Sequence, residues 1–347
     1  MTPEIAVLDP QTASEADLLA LYELEGLLHE ESTPDDPRPS APNFIASQRA
    51  DRGEHHRILL LARGDDRLDG AAWIFWSKGD DNRHLARVYV LVHPDRRRRG
   101  VGTALLGRAA AIASEDGRVR LQGWTNSRQP AGEEFCRAVG AVEASVLRES
   151  RLDLGKLDRD LLRRWLDEPH PGYELVFIEL PTPPELLAAT AAIVEVMNTA
   201  PRDDLDEEDF KFTPDMLVKG EQALLAGGHR GWRYLAREQA TGAIVGYTQV
   251  MWNTDDPSLV GQGDTAVQPE HRGHKLGKWM KAAMLEKLLA EVPQARSVVT
   301  GNAESNDAML GINVALGFEP AASEGVWQVE TEAVVRYTSR QSARPLE

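Results

Sequence analysis

Cysteine is almost missing: Cys136 is the single one in 347 residues, which excludes an intrachain disulfide and a multi-cysteine metal site and suits a reducing compartment. Long apolar runs are missing as well. No stretch approaches the roughly 18 uninterrupted apolar residues of a membrane span. The start, Met1-Thr2-Pro3-Glu4-Ile5, has neither the basic opening nor the apolar stretch and cleavage site of a secretory signal. Together these absences predict a cytoplasmic protein with no membrane contact. Basic residues are in the minority, 39 Lys and Arg against 55 Asp and Glu, for a formal net charge of −16. That balance opposes nucleic acid as a partner, although one basic patch, Arg96 to Arg99, stands out against it.

What is present begins with a repeat. At 347 residues the chain exceeds what one core usually supports, and two stretches share an order of features. Val92, Pro94, Arg97 and Gly102 recur as Val267, Pro269, Arg272 and Gly277, each 175 residues later. Further on the offset drifts slightly, to 176 between Asn126 and Asn302 and 177 between Gly140 and Gly317. One unit was used twice, so two domains are expected, residues 1–155 and 173–347. Between them lies a charged, helix-like linker, 156–172, ending in the helix-breaking run Glu168-Pro-His-Pro-Gly172.

Each unit reads as strand, helices, two strands, a strand ending at the Arg/Gly motif, a helix, another strand, a helix and closing strands. Leu60–Arg63, Gly70–Trp76 and Leu85–Val92 supply central strands of the first unit; Tyr234–Arg237, Ile244–Trp252 and Asp264–Val267 supply those of the second. The order implies an α/β unit with a mixed sheet. Glu30 to Asn43, rich in Pro, Asp and Ser, reads as a surface loop able to cover a site.

A strand, a short basic Gly loop and a helix put free backbone N–H groups and the positive helix end at one point, which makes an anion site. Gly100 and Gly102 permit a close approach to the backbone. A nucleotide P-loop is excluded because no G-x-x-x-x-G-K-[ST] run occurs. A dinucleotide fingerprint is disfavoured because Leu105 occupies its third glycine position.

Arg97-Arg98-Arg99-Gly100-Val101-Gly102 resembles the R-x-x-G-x-[GA] signature of the GNAT acetyltransferases, preceded by their strand ending V-x-P. The second copy, Arg272-Gly273-His274-Lys275-Leu276-Gly277, has Lys where the first glycine is expected. Its downstream segment, Thr300 to Phe318, is similar to the family's later motif: an Asn-ended strand, an Asn-started helix and a terminal Gly-Phe. The first copy keeps Asn126 and Gly140-Ala141 of that motif. The resemblance implies an α/β fold of two tandem GNAT-like acyl-CoA N-acyltransferase domains, each a mixed central β-sheet flanked by helices. The layout is that of the tandem members of the mycothiol synthase type.

The same resemblance implies acetyl-CoA (coenzyme A) as cofactor. Its pyrophosphate would lie on Arg97–Thr103 and on Arg272–Lys278, its pantetheine along the strands ending at Val92 and Val267. Amide hydrogen bonds would come from Asn126, Asn302, Asn306 and Asn313. Gly261-Gln-Gly263 fits a bulge that separates strands. The acceptor is expected to be a small-molecule amine, and the two units can cover each other as a monomeric pseudo-dimer.

For a base, Asp264 is the candidate, since the first unit's equivalent strand, Leu85–Val92, contains no carboxylate. Family members usually place a proton-donating Tyr four residues before the glycine of Gly-Phe; here Cys136 and Asn313 stand there, and Tyr337 is a distant alternative. That departure keeps a competing class open, a non-catalytic acyl-CoA-binding or sensing protein. His271 and His274 form an H-x-x-H pair without a companion acidic cluster, so no metal site is expected. The acidic run Asp203 to Asp209 reads either as a solvated loop or as a contact for a cationic substrate.

Overall fold

The computed structural model describes residues 4–51, 53 and 55–342. In chain order the elements of the first half are β1 (Ile5–Leu8), α1 (Glu15–Ser32), α2 (Ala41–Arg49), β2 (His55–Arg63), β3 (Leu68–Ser77), β4 (Leu85–Val92), α3 (Val101–Glu115), β5 (Arg120–Asn126), α4 (Pro130–Ala138) and β6 (Val142–Asp153). A linker helix, α5 (Arg159–Asp167), follows. The second half has β7 (Tyr173–Glu179), α6 (Leu187–Val194), α7 (Pro214–Ala226), β8 (His229–Glu238), β9 (Ile244–Asn253), β10 (Leu259–Val267), α8 (Leu276–Glu291), β11 (Ser297–Ala303), α9 (Asp307–Leu316), β12 (Glu319–Glu330) and α10 (Thr331–Ser342). The repeated order of elements matches the repeat in the sequence.

Pairing departs from two units laid end to end. All twelve strands form one sheet, in the order β1-β2-β3-β4-β5-β12-β6-β11-β10-β9-β8-β7. The closing strand of each half crosses over. β6 runs antiparallel to β11, from Ser297 opposite Asp153 to Ala303 opposite Leu147. β12 runs antiparallel to β5, from Asn126 opposite Glu324 to Arg120 opposite Glu330. The two exchanged strands pair with each other at the centre. By pairing, therefore, residues 142–153 complete the second sheet and 319–330 the first, on either side of the 156–172 linker.

The cores follow the exchange. Leu152, Leu154, Leu162 and Trp165 pack with Leu288, Val298 and Phe318 of the second half, while Val334 on α10 lies in the first-half cluster with Leu105 and Ala109 of α3. Side chains reinforce the crossing: Trp327 donates from Nε1 to Thr125 Oγ1 at 2.8 Å, and Gln328 from Nε2 to Gln122 Oε1 at 2.8 Å.

Each half contains one parallel pair, formed through α3 or α8, and each pair soon separates. β4 and β5 are in register only from Leu85–Arg120 to Arg87–Gln122. β10 and β11 are in register only from Leu259–Ser297 to Gly261–Val299. Beyond those points each pair opens into a fork. In β10 the expected bulge is present, as a register shift between Gln262 and Thr265.

Val334 is fully buried, so Val334→Asp puts an unpaired charge into the first core, at a cost of about 3 kcal/mol or more. Hydrogen exchange should then show lost protection in β2 to β5, although the substitution lies near the other end of the chain. Loss confined to β8 to β11 would contradict the exchange.

Candidate active site

The two Arg/Gly loops reach the same backbone shape by different residues. In the first, Arg98 (φ 60°) and Gly100 (φ 83°) are left-handed; in the second, Gly273 (φ 85°) and Lys275 (φ 60°) are. The offset of 175 relates 98 to 273 and 100 to 275, so glycine has changed places while the turn is kept. Lys275 thus accepts a conformation costing about 1–2 kcal/mol for a residue with a Cβ. Behind the loops, α3 and α8 begin with no side chain capping their first N–H groups, in contrast to α1, α5, α7 and α9. Val101, Gly102 and Thr103, and Leu276, Gly277 and Lys278, therefore hold N–H groups available to an anion. Val101 and Leu276 contribute backbone only, their side chains being buried.

Basic side chains surround both starts. Arg98 and Arg99 are exposed, and Arg97 pairs with Glu31 of α1. Arg272 donates from Nε to the Val267 carbonyl at 3.1 Å and from Nη2 to Thr199 Oγ1 at 2.6 Å. The linker lies against the second loop: Glu168 pairs with Lys275, which holds the Glu168 carboxyl below its ordinary value. His170 Nδ1 lies 3.2 Å from the His274 carbonyl, Tyr173 meets His271, and Lys278 sits over the Trp165 ring. His274 is thus engaged by the linker and His271 by the first residue of β7, and among the described residues no cluster suited to a metal ion occurs.

The four asparagines separate in role. Asn306 caps α9 through the Met309 N–H at 3.2 Å, and the Asn126 side chain accepts the Arg128 N–H at 2.9 Å. Asn313 was expected at the cofactor, but it is 1% exposed and turned into the core. Its Nδ2 donates to Asn302 Oδ1 at 2.7 Å and its Oδ1 accepts from Lys281 Nζ at 2.8 Å. This string of donors fixes Asn302 beside the second fork, on the α8/α9 face. Cys136, in the first unit's corresponding position, is a protonated thiol, pushed up to about 11 by burial. Tyr337 packs on the first core.

On the opposite face of the second sheet lie α6 and α7. There the Tyr247 hydroxyl donates to Asp264 Oδ2 at 3.2 Å. Asp264 keeps one side open to solvent while protein surrounds the rest, and this loss of hydration raises its carboxyl above the ordinary value. The Tyr247 hydrogen bond and the Arg233 guanidinium oppose the rise without reversing it. Arg233 is itself held by a buried pair with Glu221 at 2.8 Å and by Gln249 at 2.9 Å. Sequence reasoning missed Tyr247 and Arg233, which lie on strands without a motif, and Lys281, which lies on α8 beyond the motif that opens it.

The first fork is closed on that face. Tyr89, at the position matching Asp264 (264 − 89 = 175), stacks on Trp124 with centroids 4.9 Å apart and on Phe75 at 6.1 Å. Its phenol is pushed up to about 12, by burial first and then by Glu324, with Arg87 opposing. The acidic run lies over the same region as a strap: Glu207 pairs with Arg87 at 2.8 Å and accepts from Gln122 at 3.0 Å. Reciprocally, the Glu30–Asn43 segment reaches the second sheet, through Asp36 on Arg151 of the exchanged β6, and the turn after β9, through Ser40 and Asn43 on Asp255. The second fork instead opens into a cavity of about 280 Å³ floored by Gly261, Gly263 and Gly301. Another cavity, about 300 Å³ along α10, is lined by residues of that helix alone.

Two α/β units, each with a parallel strand pair that forks beside an uncapped, basic helix start, make a tandem α/β fold of the GNAT type. The sequence model of the acetyltransferase (GNAT) family matches residues 18–140. The chain is 25% identical over 304 residues to a mycothiol acetyltransferase of Mycolicibacterium smegmatis, covering 86% of this chain and 91% of that one. A mycothiol acetyltransferase of Nocardia farcinica is 24% identical over 274 residues, covering 76% and 79%. Among solved structures, a tandem GNAT protein from the clavulanic acid biosynthesis pathway, without AcCoA, superposes with a TM-score of 0.78 at 29% identity, covering 94% of this chain and 98% of that one. Residues 18–140 thus match the GNAT family, and the whole chain is similar to mycothiol acetyltransferases in sequence and to a tandem GNAT protein in fold. No helix among the described residues is long and apolar enough to cross a membrane.

Lys281 offers a test of the buried string. Its ammonium falls from an ordinary 10.5 to about 7 because burial strips its hydration. Between those values the unfolded chain binds the extra proton, so this group's contribution to stability rises with pH. Lys281→Met removes that dependence. Melts of both proteins should show the wild type gaining on the variant by about 2 kcal/mol from about pH 7 to pH 9; a constant difference would mean that Lys281 keeps an ordinary ammonium.

Proposed function

We propose that the protein is a cytoplasmic N-acetyltransferase moving an acetyl group from acetyl-CoA to a primary amine of a small molecule, with the second unit catalytic. The observation that carries this reading is the asymmetry of the forks: a carboxylate, Asp264, at the open one and an aromatic stack at the closed one. The family match and the acetyltransferase relatives support the reaction class.

The residues fit the cofactor. The uncapped N–H groups of Val101–Thr103 and Leu276–Lys278 suit a pyrophosphate, and a Cβ at Gly100 or Gly273 would meet nothing within 4 Å, so both loops leave room for one. Arg97, Arg98, Arg99 and Arg272 add charge. Val92 and Val267 end strands that have left their parallel partners, and their free edges can pair with an extended amide chain. Asn302, held by Asn313 and Lys281, can orient that chain from the α8/α9 face. Bound acetyl-CoA supplies an activated carbonyl and a thiolate leaving group.

An alkylammonium with a pKa of about 10.4 must lose its proton to attack, which costs roughly 4 to 5 kcal/mol near neutral pH. Asp264 takes that proton. Its raised carboxyl makes it a better acceptor than an ordinary aspartate, and the Tyr247 hydroxyl fixes its rotamer. The exchanged strands join the units within one chain, consistent with a monomer that needs neither nucleic acid nor membrane. Asn313 and Cys136 at the family's Tyr position favour the second reading, a non-catalytic acyl-CoA sensor.

Incubation with acetyl-CoA and a panel of amines, following thiol release, separates the two readings. Turnover is expected, and coenzyme A binding without turnover on any amine would favour the sensor. Asp264→Asn should lower kcat by about 10²-fold or more while leaving coenzyme A affinity nearly intact. The acid limb of kcat/KM should lie above the ordinary carboxylate range, following the raised Asp264 carboxyl. Full turnover of the variant at neutral pH would make Asp264 structural.

A further inference from the structure

The fork cavity is lined by two carboxylates that come from neither strand of the fork. Glu149 belongs to β6 and Glu324 to β12, so the exchanged strands deliver both. Glu149 lies opposite Gly301 and Ala322, and Glu324 opposite Leu147, which places the two acids on one face, two positions apart. Among the described residues neither has a basic side chain within ion-pair distance. Glu149 Oε1 is shut off from solvent and has no hydrogen-bond partner, so this one oxygen of a half-buried carboxylate has given up hydration without receiving a donor. Burial and the neighbouring Glu149 raise the Glu324 carboxyl. Two close acids left in this state are complemented by one bound cation.

The room beside them arises from particular residues. By strand register Gly301 stands where the first unit has Trp124: Ser297 lies between Leu259 and Asp153 as Arg120 lies between Leu85 and Glu330, an offset of 177 that differs from the 176 between the two asparagines. A Cβ at Gly301 would meet nothing within 4 Å, so its absent side chain is cavity space. Asp264 follows Gly263 of the cavity floor on the same strand and faces the same side of the sheet.

We propose that this cavity is the acceptor subsite and that it takes a diamine, with Glu149 and Glu324 holding one nitrogen as ammonium while the other is presented towards Asp264. The held ammonium stays protonated throughout; the second nitrogen passes one proton to Asp264 before attack and, as the C–N bond forms and the C–S bond breaks, a second to the departing thiolate, which leaves as the free thiol. Assigning the second nitrogen rests on the acetyl-transfer reading, whereas binding of the first does not.

Calorimetry on the full chain without acetyl-CoA isolates the binding step, with putrescine as the diamine probe and butylamine as the single-charge control. Putrescine should bind at millimolar or lower concentration and butylamine at least about tenfold more weakly, the value of one charge-assisted contact. Glu149→Gln and Glu324→Gln, which keep shape, should each weaken putrescine about tenfold. Gly301→Leu should abolish binding by filling the cavity. Failure of the wild type to bind putrescine, equal affinity for butylamine, or glutamine variants that bind normally would overturn the proposal. Putrescine binding as expected, with no thiol release from acetyl-CoA, would leave the cation site standing and remove the transfer reading instead.

Discussion

The pairing of β6 with β12 is the constraint on which the rest depends. Each strand closes the sheet of the half to which it does not belong by sequence, and the two pair with each other at the centre through a ladder with two register shifts. Neither half can complete its edge alone, because β5 would lack β12 and β11 would lack β6. The first core would also lose α10 with Val334, and the second would lose Leu152 and the α5 residues Leu162 and Trp165. The folding of one unit is therefore coupled to that of the other, and the linker helix is core rather than tether.

This coupling also reaches the chemistry. A fork between two parallel strands exposes backbone on both sides, and what lies across it sets what can enter. Here the exchanged strands bring acids to the second fork, while Glu207, on a segment from the second half, covers the first. The buried Arg233–Glu221 pair holds a charge behind Asp264 in the place where solvent would otherwise respond to it. On the other face Lys281 stands behind Asn313, a buried donor with a single hydrogen-bond acceptor at 2.8 Å.

The repeat, the element order, the two turns that open α3 and α8 and the bulge in β10 were legible because each is written in contiguous residues with a local physical meaning. The exchange was not. A strand such as Ser145–Leu154 announces its own conformation but not which edge it will join, and by pattern β5 and β11 are equivalent choices. The second loop was underestimated for a related reason. Expecting glycine at 275 assigned the left-handed conformation to one residue type, whereas the turn needs two such residues and tolerates one with a side chain at either position. Asn313 was read as a ligand from its place in the motif; the buried lysine that draws it inward lies 32 residues away, on α8 beyond the signature that opens that helix.

The divergence of the two forks needs few changes. Where the first unit has Tyr89 and Trp124, the second has Asp264 and Gly301, at offsets of 175 and 177. The first pair meets ring on ring and fills its fork; the second leaves a cavity and places a carboxylate at its edge. Loop geometry is common to both units, so it cannot distinguish them in function. The distinction lies on the opposite face of the sheet, where loss of a large side chain at one position and gain of a charge at another turn a packed fork into a site. A cofactor held similarly by both loops would meet an acceptor in only one of them.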